Sequence, residues 1–511
     1  MPVTRSVVSS LFKIGPVGAP PMSSLLTHAH FRFIRFYSAS THPSPASTEA
    51  LTIGMVGSGP AGFYTAQHLL RHLPNVRIDM YEALPVPYGL VRFGVAPDHP
   101  EVKNVIHKFE TIAQDPRFRF IGNVRIGHDL DLAELKPRYD ALILSYGACQ
   151  DQRLGLPDED AIPNVFSARA FVGWYNGLPE HRDLNPDLES SDTAVVIGQG
   201  NVALDVARVL LMPLDELAKT DITEHALEAL RRSKIRHVHL IGRRGPLQAS
   251  FTAKELREMI ALPDTKLHLD VPLLQNQMEA GSAILSKDRP RRRLMELLLK
   301  GATKPPSSTS PPSKSWSLKF LSSPIHLVTN PTTRALEGLQ LEKNTLEGAL
   351  NAPRAVGTGE IEQLPCGLLL RSIGYKSVPL QGLPFDSKRG MIPNVRGKVQ
   401  NEDSPASGIY VAGWLKRGPT GVIAATMYDA IETADTIIND IQNGELQPRI
   451  DPKVPPGFNG VESMLGARGV KVVDFDAWKK IDEVELAEGT RKGKPREKVV
   501  GVDKMMEIAG R

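Results

Sequence analysis

The chain has 511 residues, 41% hydrophobic and 23% charged, with 42 Gly, 41 Pro and 2 Cys; the length suits roughly two to four domains with full cores and excludes collagenous, wholly disordered and disulfide-stapled classes. Cys149 and Cys366 form no CxxC pair and cannot ligate a four-cysteine cluster, so neither an iron–sulfur centre nor a dithiol of that motif is expected, and no metal. Lys and Arg total 61 against 57 Asp and Glu, but Arg5, Lys13, Arg32 and Arg35 lie in an acid-free stretch over residues 1–48, so the rest is balanced and lacks the basic footprint of a nucleic-acid binder.

That first stretch is rich in Ser, Pro and aliphatic residues, with Arg5, Ser9 and Lys13 at helical spacing and Val8 and Phe12 on another side. Gly15, Pro16, Gly18, Pro20 and Pro21 interrupt the apolar core a secretory signal needs. RFYSAS at Arg35–Ser40 resembles a mitochondrial processing site, so residues 1–37 read as a mitochondrial transit peptide cleaved near Tyr37 or Ser38, with the matrix as destination. The plain alternative is a tail with no targeting role. No apolar run reaches the ~18 residues that span a bilayer, which leaves peripheral contact with the inner membrane as the most a membrane could offer.

From Leu51 the pattern becomes regular. LTIGMVG reads as a strand, Gly57-Ser58-Gly59-Pro60-Ala61-Gly62 as a glycine turn, FYTAQHLLRHL as a helix, and VRIDMYE as a strand closing on Glu82. Strand, turn, helix, strand and terminal acid complete the context of a dinucleotide fingerprint. The glycines allow a tight turn and close approach to a pyrophosphate, and the helix start offers N–H groups and partial positive charge. Glu82 can accept hydrogen bonds from both hydroxyls of a ribose. Residues 99–149 follow as a helical stretch, short strands around RFRFIGNVRIG, and the buried strand ALILSYGA, which closes a first nucleotide-binding half.

The motif recurs in TAVVIGQGNVALDVARVLL, with Gly198-Gln199-Gly200-Asn201-Val202-Ala203 at the turn. After an apparent helical insertion, the next strand, IRHVHLIG, ends not in an acid but in Arg243-Arg244. A carboxylate there would repel a 2′-phosphate, whereas two guanidiniums supply a fork for it. The second site is therefore expected to prefer NADPH over NADH, against the plain reading of a solvated basic turn. An acid-terminated site for FAD and an arginine-terminated site for NADPH describe a flavoenzyme with two dinucleotide folds.

Further along, Ala302–Ser315 is a Pro- and Ser-rich surface insertion. GLLLRSIGY at Gly367–Tyr375 reads as an apolar strand marking the return to the FAD domain, and GIYVAGW at Gly408–Trp414 as a strand before a Gly/Pro turn and a long helix starting near Gly421. The charge run RKGKPREK at Arg491–Lys498 reads as a solvated segment. The expected class is α/β, two Rossmann-like dinucleotide-binding domains: an FAD domain from residues 50–150 and 375–511, hence discontinuous, and an NADP domain over 151–374.

Several blocks exceed any generic fingerprint: GSGPAGFYTAQHLL, YGLVRFGVAPDHPEVKNVI, FSARAFVGWYNGLPE, GQGNVALDVAR, GRRGPLQ, FTAKELREMI, RLMELLL, SIGYKS, KRGPTGVI and GKPREK. Together they resemble the mitochondrial adrenodoxin reductase family of ferredoxin–NADP⁺ reductases, within the glutathione-reductase-like flavoproteins, from about Leu51 almost to the end and interrupted mainly at Met278–Lys287 and the Pro/Ser insertion. The resemblance implies hydride transfer from NADPH to FAD and single-electron transfers to an acidic mitochondrial [2Fe–2S] ferredoxin by a monomeric enzyme.

It places Gly57, Gly59, Pro60, Ala61, Gly62, Glu82, Leu90, Ile126, Trp414, Gly421, Val422 and Ile423 at FAD. It places Gln199, Gly200, Asn201, Val202, Arg243, Arg244, Glu255 and Gly421 at NADPH, and Arg289 and Arg293 at the ferredoxin. Core packing competes for Trp414, and an exposed helix carboxylate for Glu255. No general base is needed; His99 and Asp205 could assist a proton or the nicotinamide, against a structural role for each. A disulfide reductase is disfavoured by the missing CxxC. A flavin monooxygenase or a non-catalytic nucleotide-binding protein would differ in ferredoxin-dependent turnover and in flavin colour.

Overall fold

A computed structural model describes residues 51–304, 311–349, 351–400, 408–421, 423–447 and 454–511. The transit-peptide reading of residues 1–37 and the position Val422 lie outside the described residues.

The chain is α/β, built on two parallel sheets, with strands numbered here in chain order. The first sheet runs β16 (Asn394–Val395), β17 (Lys398–Val399), β18 (Ile409–Val411), β4 (Ala141–Leu144), β1 (Leu51–Val56), β2 (Val76–Tyr81), β3 (Phe118–Ile121). It is parallel from β18 to β3 and antiparallel at its β16–β17 edge. Strands covered on both faces become continuously apolar rather than alternating, and β1 shows it: Ile53 and Met55 are buried in the core on one face and Val56 in that on the other. The helix Pro60–His72 opens on a proline, whose fixed φ suits a first helical position, and ends at Leu73 ahead of Pro74. With the helices Ile423–Gln442 and Phe475–Arg491 it buries one face of this sheet.

The second sheet runs β6 (Val165–Ser167), β14 (Leu368–Arg371), β7 (Thr193–Ile197), β8 (His237–Ile241), β10 (Lys314–Lys319), β9 (Thr265–Leu269), all parallel. The helices Ala168–Asn176 and Asn201–Leu211 pack on one face. The other is covered by an antiparallel meander of β11 (Ser322–Thr329), β12 (Leu336–Glu347) and β13 (Arg354–Pro365), through Leu327, Leu339, Leu341 and Leu364.

Two local expectations are corrected. The Gly367–Tyr375 strand does not return to the first sheet: β14 hydrogen-bonds between β6 and β7, and the crossing follows at β15 (Tyr375–Lys376), which pairs with β5 (Gln150–Asp151). The charge run 491–498 is no solvated segment. Lys494 and Lys498 are each 1% exposed at the side chain, and the run straps the second half of the molecule to the first. Lys494 Nζ donates to the Ile222 carbonyl at 2.7 Å, Lys498 Nζ pairs with Asp221 at 3.0 Å, and Arg496 pairs with Glu485 at 2.7 Å. The local sequence misleads because, apart from Glu497 within the run, the neutralising partners Asp221, Glu224, Asp482, Glu485 and Glu488 lie outside it.

Glu485 anchors the strap. Its two oxygens take a bidentate pair from Arg92, a further bond from Arg496 and the Val499 N–H at 2.9 Å, with no solvent exposure. Burial alone would raise its pKa, but the two guanidiniums overrule it and keep the carboxyl below its ordinary range. Glu485→Gln, nearly isosteric, strands the buried Arg92 guanidinium, Arg496 keeping Asp482 at 2.6 Å, and is expected to cost about 3–5 kcal/mol, read as a lower denaturant midpoint; a loss below about 1 kcal/mol would show that the pair only breaks even.

Candidate functional site

Both glycine turns are made the same way. Gly57 leaves β1 at φ +101, and a Cβ there would fall 2.7 Å from the Ser145 backbone that continues β4, so only glycine passes. Its N–H bonds Tyr81 O at 2.8 Å, as Gly198 N–H bonds Ile241 O at 2.8 Å in the second half. Each following helix starts bare. Gly59 and Gly200 provide no capping side chain, Pro60 and Asn201 open the helices, and neither first turn holds an acid. A Cβ on Gly59 would meet nothing within 4 Å. Such open starts, with N–H groups of Ala61 and Gly62 in one case and Val202 in the other, fit a pyrophosphate.

The strand ends differ as the sequence requires. Glu82 follows β2 and turns back on the first loop, accepting from Ser58 N at 3.1 Å and Ser58 Oγ at 2.6 Å. Leu90 begins the short helix after Gly89 beside that loop, where Tyr88 N donates to Ser58 O at 3.1 Å. Ile126 lies just past Val124, whose N–H bonds Glu82 O at 2.8 Å. At the end of β8, Gly242 packs on Gln199, and Arg243 and Arg244 follow, both exposed and without a side-chain partner among the described residues. Two unneutralised guanidiniums at this point fit a 2′-phosphate. Asn201 Oδ1 accepts from Thr252 N at 2.8 Å, which holds the 249–252 segment over the second loop.

The β18 strand delivers Trp414 to the first loop. Gly413 has φ +72, and a Cβ on it would lie 2.6 Å from Ala61 Cβ, so this turn rests against the start of the first helix. Trp414 is half-buried and tilts on Tyr375 with ring centroids 5.4 Å apart. Gly421 sits at φ +79 just before the helix Ile423–Gln442. Arg417, which the sequence reading missed, ties the Thr420 carbonyl to Thr426 Oγ1 around that turn.

His99, Asp205 and Glu255 are brought together, and the residue that joins them was not foreseen. Arg208, 1% exposed, donates to Asp98, to Asp205 Oδ1 at 2.8 Å, to His99 Nε2 at 2.6 Å and to Glu255 Oε2 at 3.4 Å. An arginine can only donate, so His99 Nε2 accepts from Arg208, while Nδ1 lies 3.3 Å from the Lys254 ammonium and 3.4 Å from Glu101 Oε1. The three groups offer ligand atoms within 4.8 Å of one another, and the guanidinium serves them all. Glu255 is not the exposed helix carboxylate of the plain reading: its side chain is 13% exposed, and burial, then the nearby Asp205, pushes its pKa up to about 7. Burial likewise raises Asp205 against the pull of Arg208. The sequence signal was faint: Asp205 and Arg208 stand one helical turn apart in a helix that is otherwise apolar.

On the helix Arg289–Ala302, four arginines sort into two pairs. Arg291 and Arg292 meet Asp288 at 3.5 Å and Glu296 at 3.8 Å. Arg289 and Arg293, one turn apart and exposed, have no partner among the described residues. Asp288 caps the helix by accepting Arg291 N–H at 3.0 Å, which offsets the unfavourable positive charge there. No helix among the described residues is long and apolar enough to cross a membrane.

No protein-family model matches the chain. It is 52% identical over 466 residues to the mitochondrial NADPH:adrenodoxin oxidoreductase of Homo sapiens, covering 90% of this chain and 92% of that protein. It is 45% identical over 487 residues to the protein of the same name from Arabidopsis thaliana, covering 94% and 99%. Among solved structures it is similar to Mycobacterium tuberculosis FprA in complex with NADPH, with a TM-score of 0.82 and 40% identity over 91% of this chain and all of that one. With half its residues shared across nearly the full length of such relatives, the chain belongs to the mitochondrial NADPH:adrenodoxin oxidoreductase family.

Proposed function

We propose that this chain is an FAD-dependent NADPH:ferredoxin oxidoreductase that passes electrons one at a time to an acidic [2Fe–2S] ferredoxin in the mitochondrial matrix, acting as a monomer with at most peripheral contact with the inner membrane. The observation that carries the reading is the opposite charge at equivalent places: Glu82 after the second strand of the first half, Arg243 and Arg244 after that of the second. The family's printed names and the NADPH complex of FprA support it.

FAD supplies, when bound, the conversion of a two-electron hydride donor into single-electron deliveries. The chain's part is to hold and to exclude. Gly57, Gly59, Pro60, Ala61 and Gly62 leave the first helix start open for the pyrophosphate, Glu82 turns from Ser58 to the ribose hydroxyls, and Leu90 and Ile126 flank the adenosine half. Trp414, Gly421, Val422 and Ile423 border the ring system. Gln199, Gly200, Asn201 and Val202 form the second cradle, Arg243 and Arg244 take the 2′-phosphate, Glu255 adds to the NADPH site, and Gly421 lies near the nicotinamide. The FAD-binding part comprises 50–150 with 375–511, the NADP-binding part 151–374, preceded by a transit peptide over 1–37.

His99 and Asp205 act through Arg208 as positioning residues, since the guanidinium holds both. Arg289 and Arg293, left without acid partners, offer free positive charge for an acidic ferredoxin.

Replacing both Arg243 and Arg244 by Ala is expected to raise KM for NADPH about 100-fold, the worth of two charge-assisted contacts, with little change for NADH. Equal losses with both nucleotides in steady-state assays would refute the phosphate role. Arg289→Glu with Arg293→Glu should lower ferredoxin-dependent cytochrome c reduction about tenfold or more while NADPH-to-ferricyanide turnover stays intact; parallel loss in both assays argues against docking there. Glu255 keeps its proton to about pH 7 in the folded chain, against 4.5 ordinarily. The native state therefore binds more protons across that window and loses stability as pH rises through it. Glu255→Gln should flatten the fall of Tm between about pH 5 and pH 7.5, and an unchanged slope would mean that the carboxyl is ionised throughout.

A further inference from the structure

A cavity of about 760 Å³ lies away from both glycine turns, for none of Gly57–Gly62 or Gly198–Val202 lines it. Three separate stretches form it: residues 88–107, residues 208–221 with 258–263, and residues 478–498 of the strap. Its volume is in the ~300–1,000 Å³ range of small-molecule sites. Tyr88 and Trp478, each 1% exposed, make the floor, and Ile106, Met212 and Leu262 make apolar walls.

Every cation around it has an acid to itself or more, except at one place. Arg92 and Arg496 are matched by Glu485 and Asp482, and at the Arg208 end the acids Asp98, Asp205 and Glu255 outnumber the guanidinium, so unmatched positive charge is confined to the other end. Lys103 and Lys498 share the single carboxylate of Asp221. Lys103 Nζ donates to both its oxygens at 2.6 and 2.7 Å, and Lys498 Nζ lies 3.0 Å from Oδ2. The two lysine side chains are 12% and 1% exposed, so one positive charge is held out of water without an anion of its own. The buried Arg92 Nε–H also lacks an acceptor among the described residues. An uncompensated buried charge is expensive and is relieved either by a counter-ion or by loss of a proton.

We propose that this cavity binds a small amphipathic anion, a carboxylate on a short apolar body, with its head group at the Lys103–Lys498 pair and its body along Ile106, Met212 and Leu262. Inorganic phosphate would satisfy the charge but waste the apolar walls; a neutral alcohol would do the reverse. Because the three lining stretches come from both halves and the strap, such a ligand ties them together and raises thermal stability by mass action.

Proton linkage gives a second signature. Burial pulls the Lys498 pKa down to about 7, against the opposing pull of Asp221. The charged groups facing it are Asp221 from the 208–221 stretch, and Lys103 and Arg92 from the 88–107 stretch, with Arg496 on its own strap. An anion favours the ammonium, so affinity should fall about 8-fold between about pH 6.5 and pH 8, following the protonated fraction of a group titrating near 7.

The test titrates the FAD-loaded protein with octanoate, inorganic phosphate and 1-octanol by calorimetry, alongside Tm. Octanoate is expected to bind saturably, one per chain, and to raise Tm, with phosphate and octanol weaker by about tenfold or more. Lys103→Met leaves Asp221 and Lys498 as a balanced pair, so the fold should survive, and octanoate affinity should drop about tenfold. Met212→Trp, which fills the cavity without changing a charge, should weaken octanoate as well. The proposal is overturned by an absence of saturable octanoate binding, by phosphate binding as tightly, or by octanoate affinity that neither variant alters.

Discussion

The whole arrangement depends on how closely the backbone can pass at the end of each first strand. In both halves a glycine carries the chain across the continuation of a neighbouring strand, Gly57 over Ser145 and Gly198 over Ser372, where any side chain would collide. Only that close crossing brings the helix start to the strand ends with its N–H groups uncapped. Once two such starts exist, specificity falls to what stands after the second strand. A carboxylate and an arginine pair are enough to make the two cradles chemically distinct without changing the fold around them.

Much of this was legible in the sequence because its causes are local. The strand–turn–helix units, the terminal Glu82 and the paired Arg243 and Arg244 follow from spacing over a few dozen residues, whereas Arg289 and Arg293 were marked out by the family resemblance. What could not be read is set by partners far along the chain. Arg208 looked like one more helix residue, yet it holds Asp98 from a segment 110 positions away. The run 491–498 looked solvated because nothing nearby in sequence announced Asp221 or a buried Glu485. The strand at 368–371 had the composition of either sheet, and only its pairing with β6 and β7 assigned it.

The ionic groups at the junction fix geometry more than they add stability. Buried ion pairs recover little beyond their desolvation cost, but they are unforgiving of misplacement. Bidentate contacts such as Arg92 with Glu485, and the fan of donors on Arg208, define angles that apolar packing alone would leave loose. This suits a molecule whose two cradles have to meet at a set distance.

The interleaving of the first sheet has a consequence for synthesis. Strand β18 must insert beside β4, and Met505 and Ala509 must reach the core under the helix Pro60–His72, before that core is complete. Whether the chain leaves a ribosome or is drawn N-terminus first into an organelle, roughly 450 residues separate Val56 from Met505, about 20–90 s of delivery at rates of about 5–20 residues per second. For that interval the nascent N-terminal half carries an open edge at β4 and an uncovered apolar face, a natural client for holdase chaperones, while the second sheet, built from one continuous run of chain, is free to close first.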